Sequence, residues 1–407
     1  MNFRLISDDY KWSLLGSSAM ALVQLFQMIL AARILSPTEL GLWAVLLMMY
    51  RFLAPFVEVF NRTVIKEKNL GSSQINTLFG INFATGVIVA IFLFISADLV
   101  SAFFRIDGFQ QYVGLFSLIF PAIGLGTLRG SLFQKELHFR RLAIIQVVAS
   151  LFEFLLFLAL LFAGYGLWSL ILAFLLRFYL QHLSYLLLSA HAIRFEANFK
   201  STKAFFHFGK FDLGAQLLNY FYSNIDNILV GRLLGHSALG LYSLAWDITV
   251  KPVSFFNPVI LKVAFPLMSK ADNIKRIYVE TLKKVALVQL PLYALMGLMM
   301  YPLISLIYGQ QWTASAGAAV VLCGVALLRA MAEPGASVLA VKGRIDFEFY
   351  FQFLNIFVTV CCILLFYDLK PSIGSIAVAM FIAHLFLMAY WFWWIWRNLI
   401  KSESNIR

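Results

Sequence analysis

Apolar runs of about 20 residues recur along almost the whole 407-residue chain, and this constrains the fold more than any other feature. At 1.5 Å rise, such a run crosses a hydrocarbon core of about 30 Å. In lipid every backbone N–H and C=O needs an internal partner, so only helices or a closed barrel can span. The ten-residue alternation of a barrel is missing. The runs lie near 12–34, 40–60, 77–98, 110–129, 142–163, 166–189, 208–230, 239–262, 284–307, 316–340, 347–367 and 373–396. They predict an all-α integral membrane protein of about twelve transmembrane helices. The first run is read as a retained span, because Asp8 and Asp9 spoil the basic region of a cleavable signal.

Charge distribution orients the spans. Charged residues are 13% of the chain, against roughly 25% in soluble domains. With the N-terminus cytoplasmic, the external loops hold only Arg33, Arg105, Arg232 and Lys370 of the 32 Lys and Arg residues. The net charge of +12 therefore marks a cytoplasmic face beside anionic lipid, with both termini on that side, and requires no nucleic acid. Trp12, Trp43, Trp168, Trp312, Trp394 and Trp396 fall near the expected interfaces.

Several function classes are disfavoured. Cys323, Cys361 and Cys362 lie within spans, and six histidines are scattered without ligand spacing, so neither a disulfide framework nor a metal site is expected. The longest external loop, near 99–109, is too short for a glycosyltransferase or ligase domain, and the cytoplasmic segments carry no Gly-rich phosphate cradle. No enzyme, catalytic residue or cofactor is expected.

An internal repeat organises the spans. Residues 29–43 read ILAARILSPTELGLW and residues 228–242 read ILVGRLLGHSALGLY, identical at seven of fifteen positions, Arg33/Arg232 and Gly41/Gly240 among them. Six spans separate the copies at an offset of 199, an even number, so the halves share one orientation. The expectation is two parallel six-helix lobes, 1–195 and 196–407, around a central cavity.

The repeat also singles out one face. Asp212, Gln216, Asn219, Ser223 and Asp226 recur at helical spacing, and their equivalents are Ser13, Ser17, Met20, Gln24 and Gln27. These stripes suit a polar cavity, or interhelical hydrogen bonds that hold the bundle. Among charges inside spans, Arg51, Lys251 and Arg329 are candidates for an anionic headgroup. Local pairing is the other reading, since Asp247–Lys251 and Arg329–Glu333 are four residues apart. Glu153 and Arg177 read as an internal ion pair. Glu58, Asp247 and Glu333, with the stripe's Asp212 and Asp226, are carboxylates suited to carrying a coupling H⁺ or Na⁺. Pro55, Pro121, Pro252, Pro258, Pro291 and Pro334 fall inside spans and predict kinks.

Four segments carry a family resemblance: ILAARILSPTELGLWAV, LRGSLFQKELHFRRLAIIQ, LNYFYSNIDNILVGRLLGHSALGLYSLAWDI and IYGQQW. The chain resembles the polysaccharide exporters and O-antigen-type lipid-linked oligosaccharide flippases of the multidrug/oligosaccharidyl-lipid/polysaccharide superfamily, in particular the colanic-acid and teichuronic-acid exporter branch. The resemblance implies two six-helix lobes, alternating access, a bacterial inner-membrane location and an undecaprenyl-diphosphate-linked oligosaccharide as cargo. Some relatives have fourteen helices. Membrane lipids and polysaccharide assembly proteins are the further partners expected. A cation-coupled drug antiporter of the same fold and a non-catalytic scaffold of a glycan assembly complex are the competing readings.

Overall fold

The computed structural model describes residues 3–189, 196, 198–271 and 273–400, and among them the regular structure is helical throughout. The first nine helices are α1 (Phe3–Ile34), α2 (Pro37–Val57), α3 (Asn61–Lys66), α4 (Ser72–Ile95), α5 (Ala97–Phe104), α6 (Gln110–Phe116), α7 (Ile119–Lys135), α8 (Phe139–Phe162) and α9 (Leu167–Leu188). Six more follow: α10 (Phe199–Leu234), α11 (His236–Lys270), α12 (Ile274–Ile307), α13 (Ala316–Val341), α14 (Ile345–Leu369) and α15 (Ile373–Ile395). Among the described residues, ten segments are long and apolar enough to cross a membrane. To these α10 and α11 add 36 and 35 residues, about 54 and 52 Å of helix, longer than the hydrocarbon core is thick.

Local sequence fixes the helix starts. The SPTE turn opens α2 with a capping box: the Ser36 hydroxyl accepts from Glu39 N–H at 3.2 Å, and the Ser36 N–H donates to the Glu39 carboxylate at 2.9 Å. Pro37 follows at the first helical position, where no N–H is needed. The span expected near 110–129 is one membrane-length segment, Gln110–Lys135, made of α6 and α7 with an interruption at Ser117 and Leu118 between them. Pro121 lies in the first turn of α7, so its missing N–H costs no helical bond.

The chain divides into two compact units, Met1–Leu217 and Leu218–Arg407. The division falls inside α10, not ahead of it at 195/196. The reason is what the first half of α10 touches. Phe205 is buried with Phe60, Val64, Phe79 and Leu132, Gly209 packs on Val59, and Asp212 pairs with Arg62 at 2.7 Å. In the second unit the core gathers Met268, Tyr278, Leu339, Phe351, Leu387 and Trp391.

The same neighbours recur in each unit. Helix α7 packs on α4 and α9, and α8 on α9; α13 likewise packs on α12 and α15, and α14 on α15. Pro37, which starts α2, is equivalent at the 199-residue offset to His236, which starts α11. Small residues permit the closest contacts. A Cβ on Gly86 would stand 2.5 Å from the Phe120 carbonyl oxygen, and one on Gly124 2.6 Å from that of Asn82, so α4 and α7 touch backbone to backbone. In the second unit Trp312, in the turn between α12 and α13, is wholly buried by protein. Gly309, at φ +110°, turns the chain out of α12 so that the indole packs inward.

Candidate functional site

Each unit holds a cluster of polar and charged side chains at mid-helix depth. In the first, Arg177 lies half-way along α9 and its Nη1 donates to Glu153 Oε2 of α8 at 3.0 Å. The other carboxylate oxygen of Glu153 accepts from Gln27 Nε2 of α1 at 3.4 Å. Three helices are thereby joined by one bonded network, which is how a charge pair persists in an apolar medium. Beside it opens a pocket of about 250 Å³ lined by Ser17, Met20, Gln24, Gln146, Arg177 and Gln181.

The second cluster lies where α10, α11 and α13 meet within the second unit. The Arg329 guanidinium sits over two rings, 5.1 Å from Tyr222 and 5.5 Å from Trp246. Cation–π contact of this kind holds a cation without a counter-ion. Asp226 is buried, accepts from the Tyr242 hydroxyl at 2.9 Å and lies within electrostatic reach of Arg329. Tyr242 in turn stacks beside Trp246. The Arg329–Glu333 pairing weighed from their spacing forms no ion-pair contact among the described residues, though Glu333 lies within electrostatic reach of Arg329. Glu333 also neighbours Asn257. Asn257 donates to the Ala330 carbonyl at 2.9 Å. That oxygen is one that Pro334, four residues on, leaves without its helical donor.

The remaining expected site residues are dispersed. Arg51 is exposed on α2, with no hydrogen-bond or ion-pair partner among the described residues, and Glu58 caps the end of α2. Asp247 is half-buried in α11. The side chain of Lys251, also in α11, lies outside the described residues, as does that of Pro258. Along the stripes, Ser13, Ser17, Gln24 and Asn219 are exposed, while Gln216 and Ser223 are half-buried. Asp212 is buried between Arg62 and Gln216, whose Nε2 donates to it at 2.8 Å. Gln27 and Asp226, equivalent under the repeat, are both buried and bonded.

Sequence reasoning passed over Gln146, Gln181, Tyr222 and Trp246. A signal existed for two of them. Gln146 precedes Glu153 by two turns and Gln181 follows Arg177 by one, which puts each on the face of its charged partner. Among the described residues, no group of three His, Cys, Asp or Glu side chains is placed to hold a metal ion.

Residues 29–317 match the model of a family described as polysaccharide biosynthesis protein. The chain belongs to this family. It is 30% identical to the teichuronic acid biosynthesis protein TuaB of Bacillus subtilis, over 85% of this chain and 73% of that one. It is 26% identical to the lipopolysaccharide biosynthesis protein WzxC of Escherichia coli, over 89% and 75%. Among solved structures, the lipid II flippase MurJ in an inward closed conformation superposes with a TM-score of 0.76 at 15% identity, covering 97% of this chain and 90% of that one. An inward-facing multidrug resistance MATE transporter of the MOP superfamily gives 0.72 at 14%, covering 97% and 99%. At these identities the two structures speak for the fold: this polysaccharide biosynthesis protein is an all-helical membrane protein with the transporter fold of that superfamily.

Proposed function

We propose that the chain is a flippase. It moves undecaprenyl-diphosphate-linked oligosaccharide repeat units from the cytoplasmic to the periplasmic leaflet of a bacterial inner membrane, by alternating access, for surface-polysaccharide biosynthesis. One observation carries this reading. The relatives named for teichuronic acid and lipopolysaccharide biosynthesis align with more than four-fifths of the chain. The fold, shared with a structure titled as a lipid II flippase, supports it.

The physical problem fits the residues. A glycan–diphosphate headgroup cannot cross hydrocarbon unaided, whereas its polyprenyl tail stays in it. Transport therefore needs polar and cationic side chains held at mid-membrane, which this chain maintains in both units. No bond is made or broken, so no catalytic residue is required. Arg51, Lys251 and Arg329 are the proposed diphosphate contacts. Arg329 has the strongest structural support, because the Tyr222 and Trp246 rings position it while Asp226 and Glu333, though within electrostatic reach, make no ion-pair contact with it among the described residues. Alternating access needs two halves able to move as bodies, and the parallel repeat supplies two. Coupling to H⁺ or Na⁺ would fall to Glu58, Asp247 or Glu333.

The test is genetic and chemical. A deletion strain should accumulate lipid-linked glycan in the cytoplasmic leaflet and lose the corresponding surface polymer. Normal surface polymer, in a strain without a second exporter, overturns the reading. Arg51→Ala, Lys251→Ala and Arg329→Ala should each lower export at normal membrane abundance. Wild-type export in all three removes the cationic contacts from the proposal.

A further inference from the structure

The pocket beside the Glu153–Arg177 pair has a chemistry of its own. Arg177 and Glu153 compensate one another, so its charge sums to zero. What remains at its wall is a set of side-chain amides and a hydroxyl: Gln24 and Ser17, and Gln146 and Gln181, whose amides also meet the Tyr185 hydroxyl. Each amide carries both donors and an acceptor, and a hydroxyl does both from one atom.

A further observation points to an occupant. Ser17 and Gln24 are exposed, near the middle of an apolar helix, and make no hydrogen bond to any described residue. Polar groups at that depth need water or a ligand. The Gln27–Glu153–Arg177 network explains what ties the helices together, but it leaves Ser17 and Gln24 unused.

We infer that this pocket of the first unit is a subsite for one neutral, hydroxyl-rich sugar ring, bonded chiefly by Gln24 and Ser17, with Gln146 and Gln181 beside them. The inference rests on the flippase reading for the source of the ring, the glycan of the cargo. Size supports it. At about 250 Å³ the pocket falls below the roughly 300–1,000 Å³ of sites for drug-sized ligands, so it admits a single ring and not a glycan chain with its diphosphate. Charge supports it as well. A diphosphate would require an excess of cations, and here the one guanidinium already has its carboxylate. Sugar hydroxyls both donate and accept, as this wall does.

The experiment uses the full-length protein in detergent and methyl α-glucopyranoside as probe, read by saturation-transfer NMR. Binding is expected in the wild type, and inorganic pyrophosphate should not displace the sugar. Gln24→Ala should weaken binding about tenfold, as the loss of a pair of hydrogen bonds would. Met20→Trp, which fills the pocket without touching the ion pair, should abolish the signal; neither change disturbs the Gln27–Glu153–Arg177 network. No signal in the wild type, an unchanged signal in both variants, or displacement by pyrophosphate would each overturn the assignment. A parallel assay, translocation of a fluorescent diphosphate-linked glycan in vesicles, separates the two claims. Translocation without sugar binding sinks the subsite alone. Sugar binding without translocation by the wild type leaves the subsite standing and sinks the flippase.

Discussion

Replacing Glu153 by alanine tests the reasoning about buried charge most directly. The Glu153 and Arg177 side chains keep 5% and 14% of their accessible surface, and their oxygen and nitrogen lie 3.0 Å apart. Removing the carboxylate strands a guanidinium, a change that costs about 3–5 kcal/mol when one partner of a buried pair is lost. The translocon scale gives a similar figure, about 2.5–3.5 kcal/mol for an unpaired Arg at the centre of a spanning helix. Gln27 loses its acceptor too, adding about 0.5–1.5 kcal/mol. Glu153→Ala should therefore lower stability by about 3.5–6.5 kcal/mol. Glu153→Gln, which retains an acceptor oxygen, should cost less. The paired change Glu153→Leu with Arg177→Met removes both charges and should unfold close to the wild type, because it spares both desolvation costs. Reversible unfolding in mixed detergent micelles, followed by circular dichroism, measures all three. A Glu153→Ala variant within about 0.5 kcal/mol of wild type, or a paired variant as unstable as the single one, refutes the argument. The paired variant should nevertheless export poorly, because a stable bundle without Arg177 has lost a polar side chain from the pocket wall.

Three other outcomes follow from named contacts. Arg329→Lys should retain more export than Arg329→Ala yet less than wild type, since an ammonium keeps the charge but not the planar stacking on Tyr222 and Trp246; equal export by all three would count against the ring-held guanidinium. Gly124→Ala should cost about 1–3 kcal/mol, because its Cβ would meet the Asn82 carbonyl oxygen at 2.6 Å, and the loss should appear in the same unfolding assay. Trp312→Ala empties a fully buried site and should cost about 3–5 kcal/mol, seen as reduced membrane abundance; normal abundance would return the indole to an interfacial role.

Much of the fold was legible because spanning helices declare themselves locally: each long apolar run must satisfy its own backbone. The 199-residue repeat was legible for a related reason, since Arg33/Arg232 and Gly41/Gly240 survive at turns where loop length and backbone shape are constrained. What escaped was decided between helices. Pro121 looks the same in a sequence whether it breaks a helix or sits in the first turn of one, and only the interruption before Ile119 shows which. Phe205, Gly209 and Asp212 gave no sign that the first half of α10 belongs with the first unit, because their partners Phe60, Val59 and Arg62 lie about 150 residues away in the chain. The Glu153–Arg177 pair was readable from two opposite charges on adjacent spans. The cation–π seat of Arg329 was not, since aromatic residues are too common in such helices for Tyr222 and Trp246 to stand out.

The repeat sharpens one last step. Gln27 and Asp226 are equivalent positions, and each is buried and hydrogen-bonded to another helix of its own unit. Duplication thus kept the face while the chemistry on it diverged. The first unit surrounds its position with amides and a self-compensated ion pair. The second surrounds its own with a carboxylate, a tyrosine hydroxyl and a guanidinium seated on two rings. Selection for bundle stability alone gives no reason for the halves to part in this way, since either network would hold helices together. A cargo with unlike parts would give one: a neutral sugar is bonded best by amides and hydroxyls, and a diphosphate by a guanidinium whose N–H groups are not held by a carboxylate in direct contact. Under the proposed function, the asymmetry between the two clusters, more than the number of charges in the membrane, is what a lipid-linked glycan would call for.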